Sequence, residues 1–276
     1  MRLIFVTSYV CAGLALAPFG SLAETVDWQY SIGLHDLVVP DVSSDTFGIN
    51  GRVSVDKRTD AGRHLFGSFD LLADRDQDHL DPDHIPIWWM LHVGADGNLW
   101  QLGHEGYVGW TADLNTRMNT ASSIERQIKA LPAIVFGYDG ASLQASVKGG
   151  IGYFFQEIDD DAPKLRGFDR AGLRITTAAG SLGAGASARL GSVWQLSGMA
   201  QEWWDDSDWL EAEYSAELHL DVSRWARFER SELVLSAEVH EYNLDLYPHT
   251  EDGGLPIIGW DDDLLIRFSY RVVWHR

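Results

Sequence analysis

The stretch EAEYSAELHLDV, Glu211 to Val222, decides the fold. Ala212, Tyr214, Ala216, Leu218, Leu220 and Val222 fall on one side of an extended chain, and Glu211, Glu213, Ser215, Glu217, His219 and Asp221 on the other. Successive side chains of a strand point to opposite faces, so this is a strand with one apolar and one charged face. VDWQYSIGLHDLVV (residues 26–39) repeats the pattern, with Val26, Trp28, Tyr30, Ile32 and Leu34 against Asp27, Gln29, Ser31, Gly33 and His35. LLIRFSYRVVW (residues 264–274) sets Leu264, Ile266, Phe268, Tyr270, Val272 and Trp274 against Arg267, Ser269 and Arg271. The chain shows neither heptads nor a repeat of 20–50 residues.

Twelve alternating segments are predicted, at 26–39, 46–57, 63–74, 85–96, 99–111, 132–139, 142–157, 167–178, 183–203, 209–223, 230–245 and 262–275. The ninth is kept whole across Gly191, because Ala184, Ala186, Ala188, Leu190, Trp194 and Leu196 hold one phase. Short turns at 58–62, 97–98, 140–141, 179–182 and 224–229 alternate with longer connections, among them 75–84 and 112–131. Asp96-Gly97-Asn98 and Asp139-Gly140 read as hairpin turns. Short and long connections therefore fall at opposite ends of the strands. Acids gather in the long ones: Asp41, Asp45, the run DRDQDHLDPDH (residues 74–84), Glu157 to Asp161, Asp205 to Asp208, Glu251, Asp252 and Asp261 to Asp263.

Met1-Arg2, an apolar run from Leu3 to Leu16, and Ser21-Leu22-Ala23 read as an export signal cleaved after Ala23. The expected division is 1–23 signal peptide and 24–276 barrel. The lone cysteine, Cys11, lies in the first part, so the exported chain uses no disulfide. A net charge of -20 excludes nucleic acid as a partner and suits cations. Twelve tryptophans and nine tyrosines call for an apolar environment with polar edges.

Taken with these features, the chain resembles a Gram-negative outer-membrane β-barrel. That class has an even strand number, short periplasmic turns, longer outer loops and apolar-out alternation with aromatic girdles. The resemblance implies an all-β fold: a single antiparallel transmembrane β-barrel of twelve strands, set among outer-membrane lipid and lipopolysaccharide. It also implies that the barrel-assembly machinery reads the C-terminal strand. Here Trp274 is followed by His275-Arg276, whereas the class usually ends on the aromatic itself. A soluble lipocalin-like barrel alternates too, with its apolar face inside. Twelve strands, two classes of connection and an aromatic-rich apolar face favour the membrane barrel.

If the apolar face meets lipid, the polar face lines the lumen. Its bases are Arg52, Lys148, Arg170, Arg174, Arg189, Arg267 and Arg271, and its acids Asp27, Asp70, Glu105, Glu211, Glu213, Glu217 and Glu238. The bases sit on the second, seventh, eighth, ninth and twelfth segments, the acids mostly on the tenth and eleventh. Two outcomes are open. Opposed charged walls set a field across a narrow channel for small polar or charged solutes. Alternatively the charges pair across the lumen and fill it, giving a closed structural or surface-interaction barrel.

In the third long connection, Ser122 with Glu125 forms a capping-box pattern, and Ile124, Ile128 and Leu131 share one helical face. A short helix is expected there. His35, His64, His92, His219 and His240 lie on the polar face, which keeps an enzyme acting on lipid or lipopolysaccharide as an alternative. Ser215 and His219 lie four apart on one strand, about 13 Å, too far for a nucleophile and its base. Ser236 and His240 fail in the same way. Asp74, Asp76 and Asp78 match the first ligands of a calcium loop, but His79 replaces its glycine and Ile85 its closing glutamate. The run is therefore no EF-hand. No resident cofactor is expected, only loose calcium or magnesium at the carboxylates of an acidic outer rim.

Overall fold

The structure is a computed structural model that describes residues 26–39, 44–59, 63–74, 87–119, 124–158, 174–206, 208–226, 228, 230–246 and 261–275. Twelve strands run in chain order: β1 (Val26–Val39), β2 (Ser44–Arg58), β3 (Arg63–Asp74), β4 (Ile87–Leu102), β5 (Gly106–Asn119), β6 (Ile124–Asp139), β7 (Leu143–Ile158), β8 (Arg174–Leu190), β9 (Trp194–Trp204), β10 (Trp209–Asp221), β11 (Arg230–Tyr242) and β12 (Asp262–His275). Each pairs antiparallel with its sequence neighbours, and β12 closes on β1 through an unbroken register from Asp27↔His275 to Val38↔Leu264. Closure leaves no strand edge unpaired.

The period-two faces sort as the sequence demands. Ile32 is 70% exposed and Ile151 75% exposed on the outside, while Glu211 is 0% and Arg267 5% exposed on the inside. Leu34, Ile49, Leu71, Ile134, Leu182, Tyr214 and Phe268 continue the outer apolar surface around the wall. A soluble barrel would carry this polarity the other way round. Trp28 pairs with Trp274 near the short-turn ends, and Trp204 with Trp209 near the long-connection ends.

Three expectations are corrected. Asp96-Gly97-Asn98 is not a turn. β4 continues past it through a bulge between Asn98 and Trp100 and reverses at Gly103, whose φ of +70° is open to glycine at no steric cost. Residues 179–182 are not a turn either. The reversal is at Gly191, with φ +71°, and it divides the segment predicted whole into β8 and β9. Finally, residues 124–131 are strand, so the expected short helix is replaced by the first half of β6. Ile124 and Ile128 fit either period, being four apart. Leu131 separates the two, and it is 2% exposed on the inner face, opposite to Ile128. The third long connection shrinks to residues 120–123.

Candidate functional site

Inward side chains from opposite walls meet across the lumen. In the half nearest the long connections many of them are fully buried. Leu37, Val39, Leu72, Trp88 and Leu265 form one apolar cluster there, and Leu131, Ala133, Phe154, Ala179, Trp203 and Leu210 a second. His35 on β1 bonds Asp74 on β3.

Charged side chains cross between these clusters. Arg117 on β5 reaches β11 and β12, donating from Nη1 to Tyr242 Oη at 2.5 Å and from Nη2 to Asp263 at 3.4 Å. Its guanidinium lies 4.6 Å from the Trp88 ring centroid, a cation–π contact in a dry setting. Lys129 on β6 reaches β10, donating to Glu211 at 2.9 Å and Glu213 at 3.2 Å. Carboxylate and imidazole atoms of Glu211, Glu213 and His240 lie within 4.8 Å of one another, a spacing open to a metal ion. The Lys129 ammonium already supplies the positive charge at that point. His240 also bonds Asp263 at 3.1 Å.

A second network follows the β2–β3 and β10–β12 walls. Arg52 donates to Asp70 at 2.6 Å and approaches Glu217 at 4.0 Å. Arg267 donates to the same Asp70 at 3.3 Å, to Ser236 at 3.3 Å, and pairs with Glu238. His219 lies between Glu217 at 2.9 Å and Glu232 at 3.2 Å, with Arg271 3.6 Å from Glu232. The predicted basic and acidic walls thus interlock rather than face each other across a gap.

On the short-turn side the packing opens into a cavity of about 760 Å³. Its mouth includes Arg58, Arg63 and His104. At its inner end Asp113 accepts from Lys148 at 3.1 Å and from Thr111 at 3.0 Å, with His92 3.8 Å away. On its wall His64 bridges Asp56 at 2.6 Å and Asp96 at 2.9 Å.

Among the residues predicted to line the lumen, Arg52, Lys148, Arg267, Arg271, Asp70, Glu211, Glu213, Glu217 and Glu238 lie on the inner face in these networks. Asp27 is on that face at the short-turn end of β1. Two placements differ. Arg174 pairs with Glu157, out of phase with inward Gln156 and Ile175, so it points outward. Glu105 is in the β4–β5 turn, bonded to the Tyr138 hydroxyl. Arg189 is exposed at the short-turn end of β8. Arg170, Asp76 and Asp78 lie outside the described residues. Asp74 is not on a loop surface; it is 5% exposed and turned inward to His35. Asp113, Arg117 and Lys129 are central residues that the reading of 112–131 as a loop hid, and Asp263, counted among the acids of the last long connection, is turned inward as well.

No family model matches the chain, and the search of curated proteins found no match. Solved structures similar to it are barrels. They include an outer membrane channel from Pseudomonas putida F1 (11% identity, 94% of this chain and 98% of that one, TM-score 0.48). The translocator domain of the autotransporter NalP from Neisseria meningitidis is similar at 12% identity (97% and 96%, TM-score 0.45). Outer membrane phospholipase A from Escherichia coli is similar at 11% identity (90% and 92%, TM-score 0.43). The barrel described above rests on its own strand pairing.

Proposed function

We propose that this protein is an outer-membrane β-barrel whose polar lumen is a narrow channel for small polar or charged solutes, held shut in this conformation across its long-connection half. The observation that carries the reading is the inverted barrel itself. Its apolar face is outside, where only lipid makes it favourable, and its charged face encloses a cavity whose inner end is lined by Asp113 and Lys148, with the Arg117 and Lys129 cross-links elsewhere in the lumen. The short connections, with Arg58, Arg63, Arg224 and Arg230, face the periplasm on this reading, and the long acidic ones form the outer rim. Loosely held calcium or magnesium belongs to that rim. The inward histidines serve the networks: His35, His64, His219 and His240 each bond a carboxylate.

The test is single-channel recording of the refolded chain in planar bilayers. The wild type is expected to show rare, small openings. Arg117→Ala/Asp263→Ala, which removes a cross-link without stranding a buried charge, is expected to open more often and more widely. A folded double variant as silent as a silent wild type would establish the second reading, a closed structural barrel. The burial of the two apolar clusters inside the lumen is the observation that favours that reading.

A further inference from the structure

Glu211 and Glu213 stand two apart on β10, so both carboxylates take the inner face. His240 on β11 is the direct cross-strand partner of Glu213, and Asp263 on β12 the direct partner of His240. Three neighbouring strands thus set these groups side by side on one wall. One ligand atom from each of Glu211, Glu213 and His240 lies within 4.8 Å of the others. Small side-chain rotations close that spread on an ion held about 2.0–2.2 Å from each donor.

Two details separate this trio from an ordinary acidic cluster. Glu211 is fully buried, and its Oε1 finds no hydrogen-bond donor among the described residues, because Lys129 bonds Oε2. A buried carboxylate oxygen without a partner is costly, and a cation beside it removes the cost. His240 is oriented as a metal ligand would be. Its Nδ1 lies 3.1 Å from Asp263. A carboxylate only accepts, so Nδ1 carries the proton and the neutral ring keeps its lone pair on Nε2. A carboxylate behind the ring in this way fixes the tautomer of metal-binding histidines.

The charges favour a cation. Glu211, Glu213 and Asp263 face Lys129 and Arg117, three negative groups against two positive. The donors select its class. One imidazole and two carboxylates in a nearly dry setting suit zinc, whereas calcium and magnesium call for about six or more oxygens. Lys129 is the rival for the same carboxylates, at 2.9 and 3.2 Å. Glu213, with 23% of its side chain exposed, is the open side of the trio.

We propose that Glu211, Glu213 and His240 bind one zinc-class divalent ion in exchange for the Lys129 ammonium. The site goes beyond the channel reading and is tested by binding rather than conduction. The full chain, refolded in detergent and stripped with a chelator, is titrated with zinc chloride by calorimetry. One saturable site is expected. His240→Gln and Glu213→Gln are each expected to weaken it about tenfold or more, and His104→Gln, the same change in the β4–β5 turn, to leave it unchanged. Lys129→Met, which removes the rival charge, is expected to tighten it about tenfold. If that variant does not fold, as judged by unboiled gel migration, Lys129→Gln carries the same expectation. An equal concentration of calcium is expected to leave the zinc bound. Absence of saturable binding overturns the proposal. So does affinity unaltered by the two ligand substitutions, which would put the zinc on the acidic connections. Affinity not raised by loss of the lysine, or displacement by calcium, overturns it as well. Conductance without zinc binding sinks this site alone, and zinc binding by a silent barrel leaves it standing.

Discussion

At the scale of single residues, the lumen is governed by which charges can be removed singly. Lys129 is nearly inaccessible and serves two carboxylates, Glu211 and Glu213. Removing one partner of a buried pair leaves the other desolvated and uncompensated, at about 3–5 kcal/mol. Lys129→Ala is therefore expected to lower unfolding stability in urea by that order, and Lys129→Ala/Glu211→Ala to recover part of the loss. Two singles that simply added would show that the pair is not coupled. A cycle of the same form tests the contact of the Tyr107 ring with the bare backbone of Gly137 on the next strand: Gly137→Ala is expected to cost about 1–3 kcal/mol as overpacking, and much less beside Tyr107→Ala. The charged inner residues of β2, β10 and β12 were legible in the sequence, because alternation fixes which face a side chain takes. Their partners were not, because a pairing across the lumen joins residues such as Arg117 and Asp263 that no local pattern relates.

At the scale of elements, β6 shows where one-dimensional reading fails. Ser122 and Glu125 have helix-start chemistry, and spacings of four satisfy a helix and a strand alike. Tertiary pairing decides: β6 is hydrogen-bonded on both sides, to β5 and β7. Cysteine substitution separates the two readings cleanly, since the only native cysteine lies in the expected signal segment. Ile128→Cys faces outward and Leu131→Cys inward, so a lipid-soluble thiol reagent is expected to label the first and spare the second. Equal labelling would restore the helix, whose apolar face holds both. Glycine turns misled for a related reason. Asp-Gly is a strong hairpin signal, yet Gly97 is held in β4 opposite Trp110, and the ring lies close to its bare backbone. Gly191 carries no such flanking signal and makes the turn.

At the scale of the whole molecule, strand number and polarity were legible because both follow from repeated period-two alternation. The count of twelve survived displaced turns, since β4–β5 and β8–β9 each lost a predicted reversal and gained one nearby. What the proposed orientation adds is a charge asymmetry read from the sequence. Asp76, Asp78, Asp81, Asp83, Asp159 to Asp161, Asp205, Asp206, Asp208, Glu251 and Asp252 fall in the sequence of the long connections, while Arg58, Arg63, Arg224 and Arg230 fall in or beside short ones. Carboxylates around one mouth concentrate cations there before any contact inside the lumen. The Arg117→Ala/Asp263→Ala barrel is thus expected to be cation-selective, read as the reversal potential under a potassium chloride gradient. The preference must also be salt-dependent. The screening length falls from about 10 Å at 0.1 M to about 3 Å at 1 M, shorter than the spread of a loop rim. Selectivity set by the rim is then expected to fade toward 1 M, and to weaken when calcium is added to the long-connection side only. Selectivity equally strong at both salt concentrations would place its origin among the buried pairs of the lumen, and anion selectivity would show that the acidic connections do not control entry.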